Sequence, residues 1–512
     1  MSHTAPFKLH PLLALLTATA TGSLLANPQV PQVAHGQATF TQAGKALTVT
    51  NSPGAIINWQ QFNIDRGELT RFVQQNAASQ VLNRVVGADP SAILGKLQSN
   101  GRVFLVNPNG IVFGAGAQVD VAGLVASTLR LSDDDFLKNR LNFTDTPGAG
   151  SLQNQGSITT AVGGEVLLVA PKIENSGLIH APDGKILLAA GRSVEVADID
   201  RPNIRVEISN SAEEAVNLGT LMAQHISIYG GLVKNSGRIQ ASSAVMGQNG
   251  KIILKAAQRV ELSPSSEVTA TGSQGSTGGE ISITAANTQG LANGGEVQVQ
   301  GLVSVKPTNL VDANNDQQNK PLALINKAQT AIKNVVNQAP AQPTAEPAQA
   351  TAQAAAPVVA NAEMATQDEA AGSNALANVA LGAAAGLVRG ATLGQRTTAP
   401  NPATPINPTT PVPARPAPSS PALPVNPAAP ASPAGGTGVG GSIRIGAGGR
   451  VLVGEGTRLD ASGELGGGEI LVGGGWQGLN PNLINSQVTY IASTATLYAN
   501  ADLRGNGGLV VV

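Results

Sequence analysis

The feature that most constrains the fold is a short unit, a glycine followed by alternating apolar residues, that recurs along the chain. An alternation of period two marks a β-strand, and the glycine marks the turn that starts it. The units begin at Gly163, Asp183, Asn249, Gly278, Gly294, Gly440, Gly467 and Gly507. Gly163 and Asp183 are 20 residues apart. The sequence therefore predicts a solenoid with coils of about 20 residues, each built from short strands.

A second unit, an asparagine followed two residues later by a glycine, occurs at Asn154, Asn175 and Asn235. In a solenoid, strands of successive coils stack in parallel about 4.8 Å apart, and equivalent side chains form columns. We expect these asparagines to form a hydrogen-bonded ladder, and inward residues such as Val166 and Ile186 to form apolar columns. The alternative is a β-sandwich, which also uses short strands but favours two-residue hairpins and a more aromatic core.

Composition supports the solenoid and limits the function. The 512 residues include 60 Gly but only 2 Trp, 3 Tyr and 8 Phe, and charged residues make up 12%. A net charge of −1 without a basic run argues against a nucleic-acid partner. The absence of Cys excludes disulfides, thiolate metal sites and cysteine nucleophiles, so burial and backbone hydrogen bonds must hold the fold.

Residues 1–26 have the layout of a secretory signal peptide. Lys8 precedes a short apolar stretch, and small residues lead to a cleavage position after Ala26. The apolar run is too short to cross a bilayer, so the chain is not predicted to be an integral membrane protein. The alternative interpretation is a disordered N-terminal arm.

A region rich in Pro and Ala interrupts the repeats. Repeats occupy residues 27–310 and resume over 435–512, whereas residues 311–434 are predicted to be a disordered linker, since proline cannot donate to a β-ladder. This insert either loops out of one solenoid or separates two. The pattern ends at Val512 without a polar cap, which predicts a truncated fragment; the alternative is a true end protected by self-association.

Two predicted strands flank the tetrad Asn107, Pro108, Asn109 and Gly110, and Ile111 begins the second of them. Proline fixes φ at the second position of a turn, asparagine suits the third position, and glycine follows at the fourth. The tetrad by itself predicts a type I turn and nothing more specific.

With its surroundings, the chain resembles the secretion domain of two-partner secretion exoproteins of the filamentous haemagglutinin and high-molecular-weight adhesin type. The matching blocks are Ile56-INWQQFNI, Val81-LNRVVGADPSAILGKLQSNGRVFLVNPNGIVFG and Ala117-QVDVAGLVASTLRLSDDDF. The resemblance implies an all-β fold, a right-handed parallel β-helix with an N-terminal strand cap. It also implies export across the outer membrane by a partner transporter, whose periplasmic domains recognise the secretion domain, including the turn from Asn107 to Ile111.

No set of residues predicts a catalytic site, a cofactor or a metal site. The acidic run 133–135 follows Ser132 and is interpreted as the first turn of a helix that continues to Leu141, with Ser132 as N-cap. A Ca²⁺ loop would need oxygen ligands at alternate positions, which this run lacks. The histidines outside the signal region have no neighbouring carboxylate or serine arrangement: His35, His180 and His225.

The sequence therefore predicts a secreted structural and interaction protein without enzymatic chemistry, a β-helical shaft that presents loops to an unidentified host-cell or glycan receptor at the bacterial surface. A β-helical polysaccharide lyase or hydrolase is the enzymatic alternative, and it requires acidic groups that converge on one face. A third possibility is the stalk of a contact-dependent toxin or haemolysin, which requires a C-terminal effector.

Overall fold

The structure is a computed structural model that describes residues 27–196, 204–207, 213–243, 245, 248–273, 277–286, 295–307, 438–480 and 483–512. The chain forms two units, 1–320 with 425–512, and 321–424. All described residues belong to the first unit. The signal peptide predicted at 1–26 and the linker predicted at 311–434 lie outside the described residues.

The regular secondary structure of the described residues is almost entirely β-strand, as the sequence predicts. The first twelve strands are β1 (Gln29–His35), β2 (Ala38–Ala43), β3 (Ala46–Asn51), β4 (Ala55–Gln61), β5 (Leu69–Val73), β6 (Gln80–Val85), β7 (Ser91–Ile93), β8 (Lys96–Ser99), β9 (Arg102–Val106), β10 (Ile111–Phe113), β11 (Gln118–Val121) and β12 (Gly123–Ser127).

The middle of the chain contains the one α-helix of the described residues, α1. The elements here are β13 (Arg130–Leu131), α1 (Asp133–Leu137), β14 (Leu141–Thr144), β15 (Leu152–Asn154), β16 (Ser157–Thr160), β17 (Glu165–Ala170), β18 (Lys172–Asn175), β19 (Leu178–Ala190), β20 (Ser193–Val196), β21 (Ile204–Glu207), β22 (Glu214–Asn217), β23 (Thr220–Asn235), β24 (Arg238–Ala241), β25 (Lys251–Leu262), β26 (Glu267–Ala270), β27 (Glu280–Ala285), β28 (Glu296–Val299) and β29 (Leu302–Ser304).

The strands after the predicted linker continue the same pattern. They are β30 (Ser442–Ala447), β31 (Arg450–Val453), β32 (Arg458–Asp460), β33 (Glu469–Val472), β34 (Val488–Ile491), β35 (Thr496–Tyr498) and β36 (Leu509–Val511), with a 3₁₀ helix at Trp476–Gly478 between β33 and β34.

The strands form three stacks, which we call faces 1, 2 and 3. Face 1 contains β4, β6, β9, β12, β17, β27, β30, β33 and β36; face 2 contains β7, β10, β15, β18, β22, β28, β31 and β34; face 3 contains β3, β5, β8, β11, β16, β24, β26, β29, β32 and β35. The long strands β19, β23 and β25 turn corners and contribute to more than one face. Neighbouring strands within each stack run parallel, whereas β1 pairs antiparallel with β4, and β2 with β3, at the N-terminal end.

One continuous apolar core fills the inside of the coils. Val166 and Ile186, predicted to point inward, are 1% and 2% exposed and belong to this core. Its large aromatic side chains are confined to the N-terminal end, where Trp59 contacts Phe62 edge-on and Phe62 stacks on Phe72. The remaining coils are filled by Val, Ile, Leu and Ala, which fit narrow and repetitive columns.

The asparagine ladder is confirmed and contains one more member than predicted. Asn154 Nδ2 donates to Asn175 Oδ1 at 2.7 Å, Asn175 Nδ2 to Asn217 Oδ1 at 2.8 Å, and Asn217 Nδ2 to Asn235 Oδ1 at 2.7 Å. All four side chains are fully buried. The glycine two residues after each asparagine is required by close packing, because a Cβ on Gly177 would lie 2.1 Å from the carbonyl oxygen of the coil before it.

The repeats on the two sides of the predicted linker belong to one stack of coils. β27 pairs with β30, β28 with β31 and β29 with β32, all in parallel and without a register shift. Val305, near the end of the first part, accepts a hydrogen bond from Gly441 N at 2.8 Å. The described coils therefore stop after Pro307 and resume at residue 438 at the same corner of the stack.

Candidate functional site

The turn predicted from the NPNG tetrad connects β9 on face 1 to β10 on face 2. It closes with a hydrogen bond from Gly110 N to the carbonyl oxygen of Asn107 at 3.2 Å. Gly110 has φ +124°, a conformation that residues with a Cβ rarely adopt. The structure places all five predicted residues, from Asn107 to Ile111, in this one corner.

Asn107 holds the turn on the coil before it. Its side chain is fully buried. Nδ2 donates to the carbonyl oxygen of Asp89 at 3.0 Å and to Ser91 Oγ at 2.9 Å, while Oδ1 accepts from Asn109 N at 3.0 Å. Loss of this amide would leave several buried polar groups unpaired, at a cost of about 1–3 kcal/mol for each group. Asn107 is thus primarily a determinant of the fold.

Asn109 is the exposed residue of the turn. Its Nδ2 donates to the carbonyl oxygen of Gly87 at 2.8 Å in the coil before. On the opposite side, Gly150 N donates to the Pro108 carbonyl oxygen at 2.8 Å, and a Cβ on Gly150 would lie 2.5 Å from the Asn109 carbonyl oxygen. Coils on both sides therefore fix the turn, while the Asn109 side chain remains accessible to another protein.

Sequence reasoning missed the residues that support the turn. Gly87, Asp89, Ser91 and Gly150 come from the coils before and after it. Gly87, Asp89 and Ser91 lie in the matching block that begins at Val81, but nothing in the sequence assigns them to the turn, because they belong to a different coil.

A separate cover lies over the outside of face 1 next to this turn. β13, β14, β20 and β21 form a four-stranded antiparallel sheet, and together with α1 they bury a second apolar cluster. Ile56 and Leu167 point outward into this cluster, whereas their neighbours Ile57 and Leu168 point into the main core. The sequence signal for this second buried side is a run of consecutive apolar residues, because a strand buried on both sides no longer alternates between apolar and polar residues.

The acidic run begins a helix, as predicted, but the helix is shorter than expected. Ser132 is the N-cap, and its Oγ accepts from Asp135 N at 3.1 Å. The predicted continuation to Leu141 is wrong. The helix ends at Leu137, Asn139 takes a left-handed φ of +54°, and Leu141 already pairs with β20.

The three aspartates at 133–135 are bound by cations of the protein itself. Asp133 pairs with Arg84 at 2.5 Å, and Asp134 with Lys138 at 2.7 Å and with Arg140. The hydrogen bond from Lys138 is the main reason that the pKa of Asp134 lies below its usual value. This arrangement supports the helix and covers β6.

The histidines are dispersed. His35 is exposed on β1, His225 is half-buried on β23, and His180 is buried on β19, where burial lowers its pKa. Among the described residues, no three or more His, Asp or Glu side chains lie close enough together to hold a metal ion. In the same part of the chain, no helix is long and apolar enough to span a membrane.

The sequence and the structure are similar to known proteins. The profile of the TPS secretion domain, the domain of two-partner secretion exoproteins, matches residues 17–269. The heme/hemopexin-binding protein of Haemophilus influenzae strain Rd is 30% identical over 288 residues, which cover 51% of this chain and 31% of that protein. A second heme/hemopexin-binding protein of Haemophilus influenzae is 35% identical over 144 residues, 27% of this chain and 16% of that protein.

The crystal structure of the HMW1 secretion domain from Haemophilus influenzae superposes with a TM-score of 0.53 at 23% identity, covering 92% of this chain and 84% of that one. At this level of identity the similarity shows the fold alone. The chain spans less than a third of the length of the curated relatives that it matches, 31% and 16%.

Proposed function

Because the match over residues 17–269 places this chain among the two-partner secretion exoproteins, we propose that it is an adhesin-like structural protein displayed at the bacterial surface. The family assignment implies secretion across the outer membrane with the help of a partner transporter. The observation that carries the proposal is the continuous stack of coils from the secretion domain to β36, which forms a rigid shaft suited to presenting a binding surface.

We propose a right-handed β-helix, since crossover connections between parallel strands are almost always right-handed. The signal peptide at 1–26, the secretion domain at 27–310, the Pro/Ala-rich linker at 311–434 and the further repeats at 435–512 remain our proposed organisation. The chain acts by binding and has no catalytic site or cofactor in this proposal.

The turn from Asn107 to Ile111 contributes to recognition by the periplasmic domains of the transporter. Its exposed tip supports this role, because Asn109 is the exposed polar side chain of a turn that both neighbouring coils hold in place. A side chain fixed in this way is presented to a partner in one conformation, which lowers the entropic cost of binding.

Export tests the proposal. In a Gram-negative host that produces the partner transporter, the wild-type chain is expected in the medium, and deletion of the transporter should keep it in the cells. Asn109→Ile should reduce export at least tenfold. Asn500→Ile, an equally exposed asparagine beyond the secretion domain, is the matched control and should be exported normally. Normal export of Asn109→Ile would contradict the role of the turn.

Assays of binding and of enzymatic turnover test the proposed adhesin function and the proposed absence of a catalytic site. The purified chain is expected to bind host cells in a saturable manner and to leave uronate polymers intact. Release of unsaturated uronates or of reducing ends would instead establish the enzymatic alternative.

The printed names of the relatives supply a second candidate, binding of heme or hemopexin. The identity of 30% over 288 residues favours it. Immobilised hemopexin and free heme are the direct probes: specific binding of either to the purified chain, together with no binding to host cells, would replace the adhesin proposal with this one.

A further inference from the structure

His180 and Met222 lie side by side on the outside of face 3. The parallel pairing of β19 with β23 places them opposite each other in register. Their neighbours Ile179 and Leu221 point into the main core, so the alternation of the strands directs His180 and Met222 outward. Despite this, only 7% and 6% of their surfaces are exposed.

Ser243, just after β24, contacts both coils that carry the pair. Its Oγ donates to Asp183 Oδ1 at 3.4 Å, in the coil of β19. Gln224 Nε2, in the coil of β23, donates to Ser243 Oγ at 3.3 Å. Ser243 therefore lies next to the ends of the strands that carry the pair.

His180 contains a buried nitrogen without a hydrogen bond. Its Nδ1 atom is inaccessible to solvent and has no hydrogen-bond partner among the described residues, a situation that is rare in native structures. An uncharged imidazole offers a lone pair at such a nitrogen. Neutral imidazole is the form that binds metals.

The spacing of the strands leaves room for a metal bridge between opposite side chains. Bonds from a first-row metal to imidazole nitrogen and to sulfur are about 2.0 and 2.3 Å long, so a linear bridge from nitrogen to sulfur spans about 4.3 Å. Paired strands are about 4.8 Å apart. We propose that His180 and Met222 form a two-coordinate site for Cu(I).

The ligand types select Cu(I) over other metals. A thioether is a soft ligand that selects Cu(I), and imidazole also suits copper. Structural zinc requires four ligands, and the described residues contain no group of three or more His, Asp or Glu side chains that would supply them. Ligation of one heme iron by both side chains is excluded as well, because two side chains that project side by side cannot occupy opposite faces of one ring.

Such a site would exist only in the folded chain. His180 and Met222 are 42 residues apart in sequence and meet only when β23 stacks on β19. Binding transfers no electron and releases no proton, since Cu(I) is taken up as such by a neutral imidazole and a thioether. A metal bound only to the folded form stabilises that form, so Cu(I) would lock two adjacent coils together.

A competition titration tests the site. The full chain, under anaerobic and reducing conditions, is titrated with Cu(I) held by the chelator bicinchoninate. We expect one equivalent of tightly bound Cu(I), and an X-ray absorption spectrum with one nitrogen and one sulfur neighbour. Met222→Leu, which conserves volume, and His180→Gln should each weaken binding at least tenfold, whereas Met222→Cys, which keeps a soft sulfur, should retain it.

Two controls separate the site from general effects. His35→Gln, at an exposed position on β1, should bind Cu(I) as the wild type does. Met222→Leu without metal should unfold at the wild-type temperature, which shows that its loss of binding is not a loss of fold. No uptake of Cu(I) by the wild type, or unchanged uptake by Met222→Leu, would overturn the proposal.

Discussion

Face 1 is stabilised in two different ways along its length. In the early coils its strands are buried on both sides: Leu167 points into the cluster beneath the antiparallel cover, while Leu168 points into the main core. In the late coils, at β27 and β30, the outer side is polar instead. Arg444 occupies the outer side and pairs with Glu280 at 3.1 Å and Glu469 at 3.2 Å.

This difference predicts unequal stability. Burial of a large apolar side chain contributes about 1.5–3 kcal/mol, whereas an exposed ion pair contributes at most about 1 kcal/mol. The early coils of face 1, whose strands are buried on both sides, should therefore be the most stable part of the solenoid, and the late coils should open first. Hydrogen exchange should show stronger protection of β17 than of β30, and equal protection would contradict the comparison.

The largest effect is expected in the second core. Phe136 is 1% exposed and contacts Phe104 edge-on, with ring centroids 5.1 Å apart. Phe136→Ala should lower the free energy of unfolding by about 3–5 kcal/mol, measured by denaturant titration. Leu137→Ala, at the next and more exposed position of α1, is the control and should cost less than about 1 kcal/mol. Equal costs would show that the cover does not stabilise face 1.

The second largest effect is expected in the asparagine ladder, which connects four successive coils within the secretion domain. Asn175→Ala removes the acceptor of Asn154 and the donor to Asn217. Each buried group left without a partner costs about 1–3 kcal/mol, so we expect a loss of about 2–4 kcal/mol in denaturant titration. Glu174→Ala, at the neighbouring outward position, should be nearly neutral, and a similar loss there would assign the effect to the strand rather than to the ladder.

A smaller and pH-dependent effect is expected in the late coils at Asp460. Burial raises the pKa of this carboxyl, but hydrogen bonds from Arg458, Ser462 and Lys306 outweigh burial and leave the pKa below its usual value. A carboxyl with a lowered pKa in the folded state stabilises the protein at neutral pH and loses this contribution as the pH falls through that pKa.

Asp460→Asn should therefore cost about 2 kcal/mol at pH 7. The difference from the wild type should shrink as the pH falls below the ordinary value of 3.8, because the wild-type carboxyl then becomes protonated. Thermal unfolding of the wild type and of Asp460→Asn between pH 7 and pH 2.5 measures this difference in stability. A difference that does not change with pH would exclude the ionised carboxylate as the cause.

The smallest effect is expected on the outside of the late coils. Arg444→Ala removes two partly exposed ion pairs and should lower the free energy of unfolding by less than about 1 kcal/mol, and by still less in high salt. A loss comparable to that of Phe136→Ala would mean that both parts of face 1 are stabilised equally, and would refute the comparison.

Much of the fold was predictable because it repeats. Glycine turns, alternating strands and the asparagine ladder are local patterns that recur along the chain, and even the missed Asn217 follows the same rule, with Gly219 two residues later. The expected spacing of about 20 residues is not constant, because paired strands of neighbouring coils are 18–42 residues apart outside the predicted linker. The NPNG turn was predictable for the same local reason.

The antiparallel cover was not predictable, because it joins β14 to β20 from different coils outside the repeat. The same limit applies to His180 and Met222, which meet only through the register of β19 and β23. Contacts of this kind depend on which coils stack next to each other, and the repeated pattern of the sequence does not specify that order.

The corner at which the described coils stop and resume has a consequence for the order of folding. Arg444 pairs with Glu280 although 164 residues separate them, whereas paired strands of neighbouring coils elsewhere among the described residues are 18–42 residues apart. Each doubling of a loop costs about 0.6 kcal/mol of closure entropy, so this connection costs about 1–2 kcal/mol more to close. We therefore expect the coils after β29 to stack later than coils joined by short connections, which leaves the edge formed by β27, β28 and β29 open in the meantime.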